Sequence, residues 1–339
     1  MKKKRAILLT SVVLGAALLA GCGSSDGPTA TLQNNAGTTP AVSEAAPVEM
    51  TPETETESAL GTSAEDETTE DETTETNQVI LVVSFGTSYN ESRDLTIGAI
   101  ENAIAGEFPE YEVRRAFTSQ IIIDKLADRD GLVIDNVEEA LDRAVADGVT
   151  TLVVQPTHLM NGYEYTDLAD ALADYEEQFE TVVLAEPLLT SDEDFAAVAD
   201  AITTRTAEYD DGETAICFMG HGTEADSNSV YPKLQDVLTE NGYDSYFIGT
   251  VEAEPALEDV LEAVNEYGEY TRVVLEPLMV VSGDHATNDM AGDEDDSWKS
   301  CFEAEGYEVV CILEGLGQNE DIQQLYVQHT QDAIDSIAE

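Results

Sequence analysis

The chain has 339 residues, carries 71 acidic against 14 basic side chains for a formal net charge of −57, and is 42 % hydrophobic. So acidic a balance argues against a non-specific nucleic-acid binder, which needs clustered Lys and Arg against phosphate, and against a polybasic membrane-surface protein. The apolar fraction is too high for a chain disordered throughout, and the length suits one large domain or two smaller ones.

At the N-terminus, Lys2, Lys3, Lys4 and Arg5 precede an apolar run from Ala6 to Ala20 that is short for a bilayer span, so residues 1–22 read as a cleaved signal. The run closes on Leu19-Ala20-Gly21-Cys22, which resembles a bacterial lipobox, where the cysteine becomes the lipidated first residue of the mature protein. The expectation is an extracytoplasmic lipoprotein anchored to the membrane through lipid on Cys22. From 23 to 78 the chain turns to Thr, Glu, Ser, Ala and Pro, with no Lys or Arg and no hydrophobic period. Such a segment reads as an acidic, self-repelling, disordered tether. Cys217, Cys301 and Cys311 show no CxxC spacing and read as structural thiols, with a Cys301–Cys311 bridge left open.

The folded part begins at Val79, where the continuous apolar run to Val83 reads as a strand buried on both faces of a parallel sheet, closed by Ser84-Phe85-Gly86-Thr87-Ser88. Asn136-Val137-Glu138-Glu139 resembles a capping box, and Val137, Ala140, Leu141, Ala144 and Val145 continue it as a helix that stops at Gly148. Thr151 to Val154 reads as a strand, Leu168, Leu172, Tyr175 and Phe179 as a helix, Thr181 to Leu184 as a strand and Phe195 to Thr206 as a helix. This alternation is α/β.

A second cycle opens with the apolar strand Ala215 to Met219, and its strand ends rhyme with the first. Ser84-Phe85-Gly86-Thr87 corresponds to Gly220-His221-Gly222-Thr223, and Val153-Val154-Gln155-Pro156 to Val274-Leu275-Glu276-Pro277. Pro156 and Pro277 are each followed six residues later by a glycine, Gly162 and Gly283. The pattern predicts two α/β lobes related by internal duplication, 79–205 and 206–339, with a last helix near 319–337 crossing back to the first lobe. Ligands in such sheets sit beyond the carboxyl ends of the strands.

Three of the four histidines, His158, His221 and His285, fall in those strand-end loops; His329, on the last helix, reads as a surface or packing residue. Glu252 follows the strand Tyr246 to Ile248. His221, Glu252 and His285 thus bring two imidazoles and a carboxylate from three neighbouring strand ends, an open donor set suited to Co²⁺, Ni²⁺, Fe²⁺ or Zn²⁺. The competing reading has Glu252 capping a helix that starts near Pro255.

At these residues the chain resembles the anaerobic-type sirohydrochlorin cobaltochelatases of the CbiK type, relatives of the class II chelatases that include ferrochelatase. The resemblance spans nearly all of 79–338 and rests on Val83-Ser84-Phe85-Gly86-Thr87-Ser88-Tyr89, Arg115-Ala116-Phe117-Thr118-Ser119, Met219-Gly220-His221-Gly222, and Ser282-Gly283-Asp284-His285-Ala286-Thr287-Asn288-Asp289-Met290. It implies two flavodoxin-like lobes with parallel sheets and a cleft for a tetrapyrrole. It further implies insertion of Co²⁺ as substrate metal, with Fe²⁺ or Ni²⁺ as alternatives, without nucleotide hydrolysis. The family's metal ligands and catalytic groups fall on His221, Glu252 and His285. Ser84, Phe85, Gly86, Thr87, Tyr89, His158 and Met279 are the residues expected to meet the ring.

Two features depart from the family. The stretch after the Gly-His-Gly motif is Thr223-Glu224-Ala225-Asp226, without the further histidines often found there, and the address is extracytoplasmic. An acidic surface also repels a polycarboxylate ring, with Arg114, Arg115, Lys125 and Arg129 as the basic cluster expected to offset this at the cleft. The alternative function is a lipoprotein that binds a tetrapyrrole or its metal for uptake or delivery, with a membrane transporter as partner. A homo-oligomer is compatible with either reading, and no nucleic-acid partner is expected.

Overall fold

In a computed structural model of the chain, residues 77–337 are described. The signal and lipobox of 1–22 and residues 23–76 of the expected 23–78 tether lie outside the described residues; its last two residues belong to the fold instead, since Gln78 opens the first strand and the Asn77 carbonyl accepts the N–H of Thr150 at 2.9 Å. The first half runs β1 (Gln78–Ser84), α1 (Asn90–Leu95), α2 (Ile97–Glu107), β2 (Glu112–Phe117), α3 (Gln120–Asp130), α4 (Val137–Ala146), β3 (Thr151–Pro156), α5 (Tyr163–Ala173), β4 (Thr181–Leu184) and α6 (Asp192–Thr206). The second runs β5 (Thr214–Gly220), α7 (Val230–Glu240), β6 (Tyr246–Thr250), α8 (Leu257–Tyr267), β7 (Arg272–Pro277), α9 (Trp298–Glu305), β8 (Glu308–Cys311) and α10 (Glu320–Ile337). Among the described residues no helix is long and apolar enough to cross a membrane.

Each half builds a four-stranded parallel sheet of the same topology, β2-β1-β3-β4 and β6-β5-β7-β8. The registers also match, with Val83 opposite Pro156 and Met219 opposite Pro277. β1 and β5, the inner strands that open each half, carry continuous apolar runs because helices cover both faces, and Val79–Val83 and Ala215–Met219 are buried throughout. The largest core cluster joins the two halves, taking Ile80 and Val82 from the first sheet and Ile216 and Phe218 from the second.

α10 returns to the first sheet. Tyr326 donates its hydroxyl to the carbonyl of Thr157 at 3.0 Å, and Thr330 donates to Gln155 Oε1 at 2.8 Å. His329 is a buried packing residue, bonded through Nε2 to Asp194 at 2.9 Å and through Nδ1 to the carbonyl of Glu186 at 3.2 Å.

Three local expectations change. α5 ends at Ala173, so Tyr175 and Phe179 are not helical: the chain tightens into a 3₁₀ turn at Glu176–Gln178. Phe179 still packs with Leu168 and Leu172 in one core cluster, which is why the helical spacing misled. α6 starts three residues before Phe195, because Ser191 and Asp194 form a reciprocal capping box ahead of the apolar run. Cys217, Cys301 and Cys311 are all free thiols, so the Cys301–Cys311 bridge is not formed.

Candidate metal centre and cleft

The carboxyl ends of β1, β3, β5 and β7 open on one cleft of about 320 Å³, lined by both lobes. On the second-lobe side, β5 ends at Gly220 and the next two residues turn sharply. Gly222 sits at φ +84°, in the left-handed region, and a Cβ there would come within 2.8 Å of the Ala253 backbone nitrogen. The turn exposes His221 at the cleft. Glu252 is held beside it by main-chain bonds, its N–H donating to the carbonyl of His221 at 2.9 Å and the N–H of Val251 to that of Gly220 at 3.0 Å. His285 opens a π-helical turn, Ala286–Met290, whose Ala286 and Met290 are buried in the core of the second lobe.

The donor atoms of His221, Glu252 and His285 lie within 4.8 Å of one another. The two imidazoles are 4.8 Å apart between centroids and nearly perpendicular, at 85°. His221 Nδ1 lies 2.8 Å from the carbonyl of Gly222, which only accepts, so Nδ1 carries the proton and Nε2 keeps a free lone pair. His285 Nδ1 lies 2.7 Å from Asp289 Oδ2, with the same consequence. Two free imidazole nitrogens and a carboxylate, open to solvent on one side, are a donor set for a borderline divalent cation. Glu252 does not cap α8: Ala256 occupies that position, and its N–H donates to Asp259 at 2.8 Å.

Every ring-contact residue expected from the sequence, namely Ser84, Phe85, Gly86, Thr87, Tyr89, His158 and Met279, lines this cleft. They do different things there. Phe85 is 50 % exposed and offers an aromatic face, because Gly86 at φ +95° turns the chain as Gly222 does. Ser84 is buried beneath it, accepting from the Thr157 hydroxyl at 2.7 Å. Thr87 Oγ1 accepts the N–H of Tyr89 at 3.2 Å. Tyr89 reaches across the cleft, its hydroxyl donating to Asp284 at 3.3 Å, next to His285. His158 lines the cleft while both its ring nitrogens are sealed from solvent and without a hydrogen-bond partner. Burial pushes His158 down to about 4, so the ring is neutral near neutral pH.

The basic cluster does not serve the cleft. Arg114 pairs with Glu112 and Asp147, Arg115 with Glu101 and Arg129 with Asp130, while Lys125 is exposed elsewhere; among the described residues no Lys or Arg lines the cleft. Arg114, Arg115 and Arg129 are each neutralised by carboxylates of their own lobe. The sequence reading did not single out Asp289 or Glu164, which also sits in the cleft wall. Asp289 had a signal, since it lies four residues beyond His285 and so shares its face of a helical turn.

A family model for cobalt chelatase (CbiK) matches residues 78–335. The chain belongs to the CbiK cobalt chelatase family. It is 36 % identical over 262 residues to the sirohydrochlorin cobaltochelatase of Salmonella typhimurium, an alignment covering 77 % of this chain and 98 % of that one. The sirohydrochlorin cobaltochelatase CbiKC of Nitratidesulfovibrio vulgaris is 31 % identical over 267 residues, covering 77 % and 92 %. Membership in the CbiK family makes the chain an enzyme, a lyase that inserts metal. Its fold, two flavodoxin-like lobes, is shared with SirB from Bacillus subtilis, solved with Fe³⁺, at a TM-score of 0.55 and 12 % identity over 78 % of this chain and 98 % of that one.

Proposed function

We propose that this CbiK-family enzyme inserts Co²⁺ into sirohydrochlorin or a closely related tetrapyrrole, outside the cytoplasm, as a lipoprotein held at the membrane through Cys22. The observation that carries the reading is the convergence of the donor atoms of His221, Glu252 and His285 within 4.8 Å, with His221 and His285 lining a cleft shared by both lobes.

Insertion requires water to be stripped from the ion, the ring to be presented to it and two pyrrole protons to be removed. The free Nε2 atoms of His221 and His285 replace water as ligands, and the carboxylate of Glu252 offsets the charge of the ion. Phe85 and Met279 give the ring an apolar surface, and the left-handed turns at Gly86 and Gly222 let backbone approach it closely. The two pyrrole protons pass to the Glu252 carboxylate and from it to solvent on the open side of the site, one after the other, while the ring nitrogens take up the ion, with no need for nucleotide hydrolysis. Fe²⁺ and Ni²⁺ suit the same donors, so the choice of metal rests on supply and ring chemistry. The acidic surface raises the local concentration of divalent cations, which favours loading from dilute solution.

The direct test is anaerobic incubation of the purified chain with Co²⁺ and sirohydrochlorin, following the absorbance of the free ring. The expected outcome is enzyme-dependent conversion to the cobalt form; a rate no higher than without protein removes the reading. For the address, Cys22→Ser is expected to move the chain from the membrane fraction to the soluble one, and continued sedimentation of the cleaved chain with membranes would show that Cys22 is not the anchor.

A further inference from the structure

The two imidazoles of the metal centre are backed by different groups. His221 leans on a neutral main-chain carbonyl, that of its own neighbour Gly222, at 2.8 Å. His285 leans on a carboxylate, Asp289 Oδ2, at 2.7 Å. Among the described residues Asp289 has no other hydrogen-bond or ion-pair partner, so its charge is committed to this one imidazole.

The turn that carries them is braced at successive i, i+4 positions. Thr287 donates its hydroxyl to the carbonyl of Gly283 at 2.8 Å, Asn288 donates its amide to Asp284 Oδ1 at 3.0 Å, and His285 meets Asp289. Ala286 and Met290 fasten the same turn into the core, while Tyr89 of the first lobe holds Asp284 from across the cleft. A turn pinned on its buried side and tied at each exposed step fixes where the Asp289 carboxylate points. π-helical turns are uncommon and cluster where a side chain must be aimed.

We infer that Asp289 is a positioning residue of the metal centre: its carboxylate locks His285 in the Nδ1–H tautomer and aims the Nε2 lone pair at the incoming divalent ion. This rests on the reading of His221, Glu252 and His285 as metal ligands. A carboxylate behind an imidazole fixes its orientation and strengthens it as a donor. Charge supports the assignment, since Glu252 and Asp289 together offset the two positive charges of the ion. The centre is therefore asymmetric, with His285 the firmly aimed ligand and His221, exposed and carbonyl-backed, the more easily exchanged one.

The test compares Asp289→Ala and Asp289→Asn with the unaltered chain by calorimetric titration with CoCl₂, by the visible spectrum of bound Co²⁺ and by the ring N–H proton of His285 in the metal-free protein. Asp289→Ala is expected to weaken Co²⁺ binding by about 10- to 100-fold, to change the visible band and to lose the hydrogen-bonded Nδ1–H signal, with the thermal midpoint preserved. Asp289→Asn, whose amide oxygen can still accept that proton, is expected to recover the signal and most of the affinity, and it carries the test if the alanine variant does not fold. Binding within about twofold of the unaltered chain in Asp289→Ala overturns the inference, as does a loss that Asp289→Asn fails to mend and that tracks a fallen thermal midpoint. Absence of Co²⁺ binding in the unaltered chain overturns the metal reading itself, a separate result.

Discussion

The two lobes have the same strand order and the same register at their strand ends, yet they present different chemistry to the cleft. Phe85 stands where the second lobe has His221, each just ahead of a left-handed glycine. Ser119 stands where it has Glu252, for its N–H donates to the carbonyl of Phe85 at 3.3 Å as that of Glu252 does to His221. Glu164, two residues past Gly162, matches His285, two past Gly283, and His158 matches Met279 after the paired prolines. The second lobe therefore gathers a complete donor set, while the first replaces two of its three positions with an aromatic face and a small hydroxyl. On the proposed reading the duplicated scaffold divides its labour, with the donor set for the ion on the second lobe and an exposed aromatic face for the ring at the matching place on the first.

The sharpest way to break that division is to remove matching residues on the two sides. His285→Ala takes away one of three protein donors and is expected to lower Co²⁺ affinity by more than about 100-fold and to abolish insertion. Glu164→Gln at the corresponding place is expected to leave Co²⁺ binding within about threefold of the unaltered chain. Calorimetric titration with Co²⁺ reads both. Equal losses would mean that the ion is held across the cleft by both lobes, and full binding in His285→Ala would take the ion away from the second lobe altogether.

The division was partly legible in the sequence, for a physical reason. β1 and β5 are buried on both faces and so read as unbroken apolar runs, and the turns after them need glycine at fixed offsets, which made the two halves rhyme. That rhyme placed three of the four histidines at strand ends. Long-range partners had no such signal. Arg115 is neutralised by Glu101 on α2, and His329 is buried against Asp194, pairings set by tertiary packing rather than by local spacing. The four-residue spacing of His285 and Asp289 was a local signal, but the π-helical turn that carries them fits neither the helical nor the strand period, so the spacing alone did not single out Asp289.

A smaller effect separates the lobes one residue before the paired prolines. Gln155 is buried and neutral, donating to the carbonyl of Pro156 at 2.8 Å and accepting from Thr330 at 2.8 Å. Its counterpart Glu276 is fully buried, with Arg205 at 2.9 Å as an ion-pair partner but with neither carboxylate oxygen in a hydrogen bond. Burial pushes Glu276 up to about 7, against the pull of Arg205 and with a further push from Glu314. Below its ordinary value of 4.5 the carboxyl is protonated in both the folded and the unfolded chain, so its contribution is fully present. As pH rises, the unfolded chain ionises first while the folded chain keeps its proton, and stability is lost until the folded group also ionises near 7. The loss amounts to about 3 kcal/mol, since each unit of displacement is worth about 1.4 kcal/mol. Glu276→Gln, which places the first lobe's residue in the second, removes this dependence. Between pH 5 and pH 8 the unaltered chain is therefore expected to lose about 5 °C more of thermal midpoint than the variant, as read by calorimetric scanning. Equal slopes would mean that Arg205 keeps Glu276 ionised across the whole range, and that both lobes hold their buried polar groups in a fixed charge state.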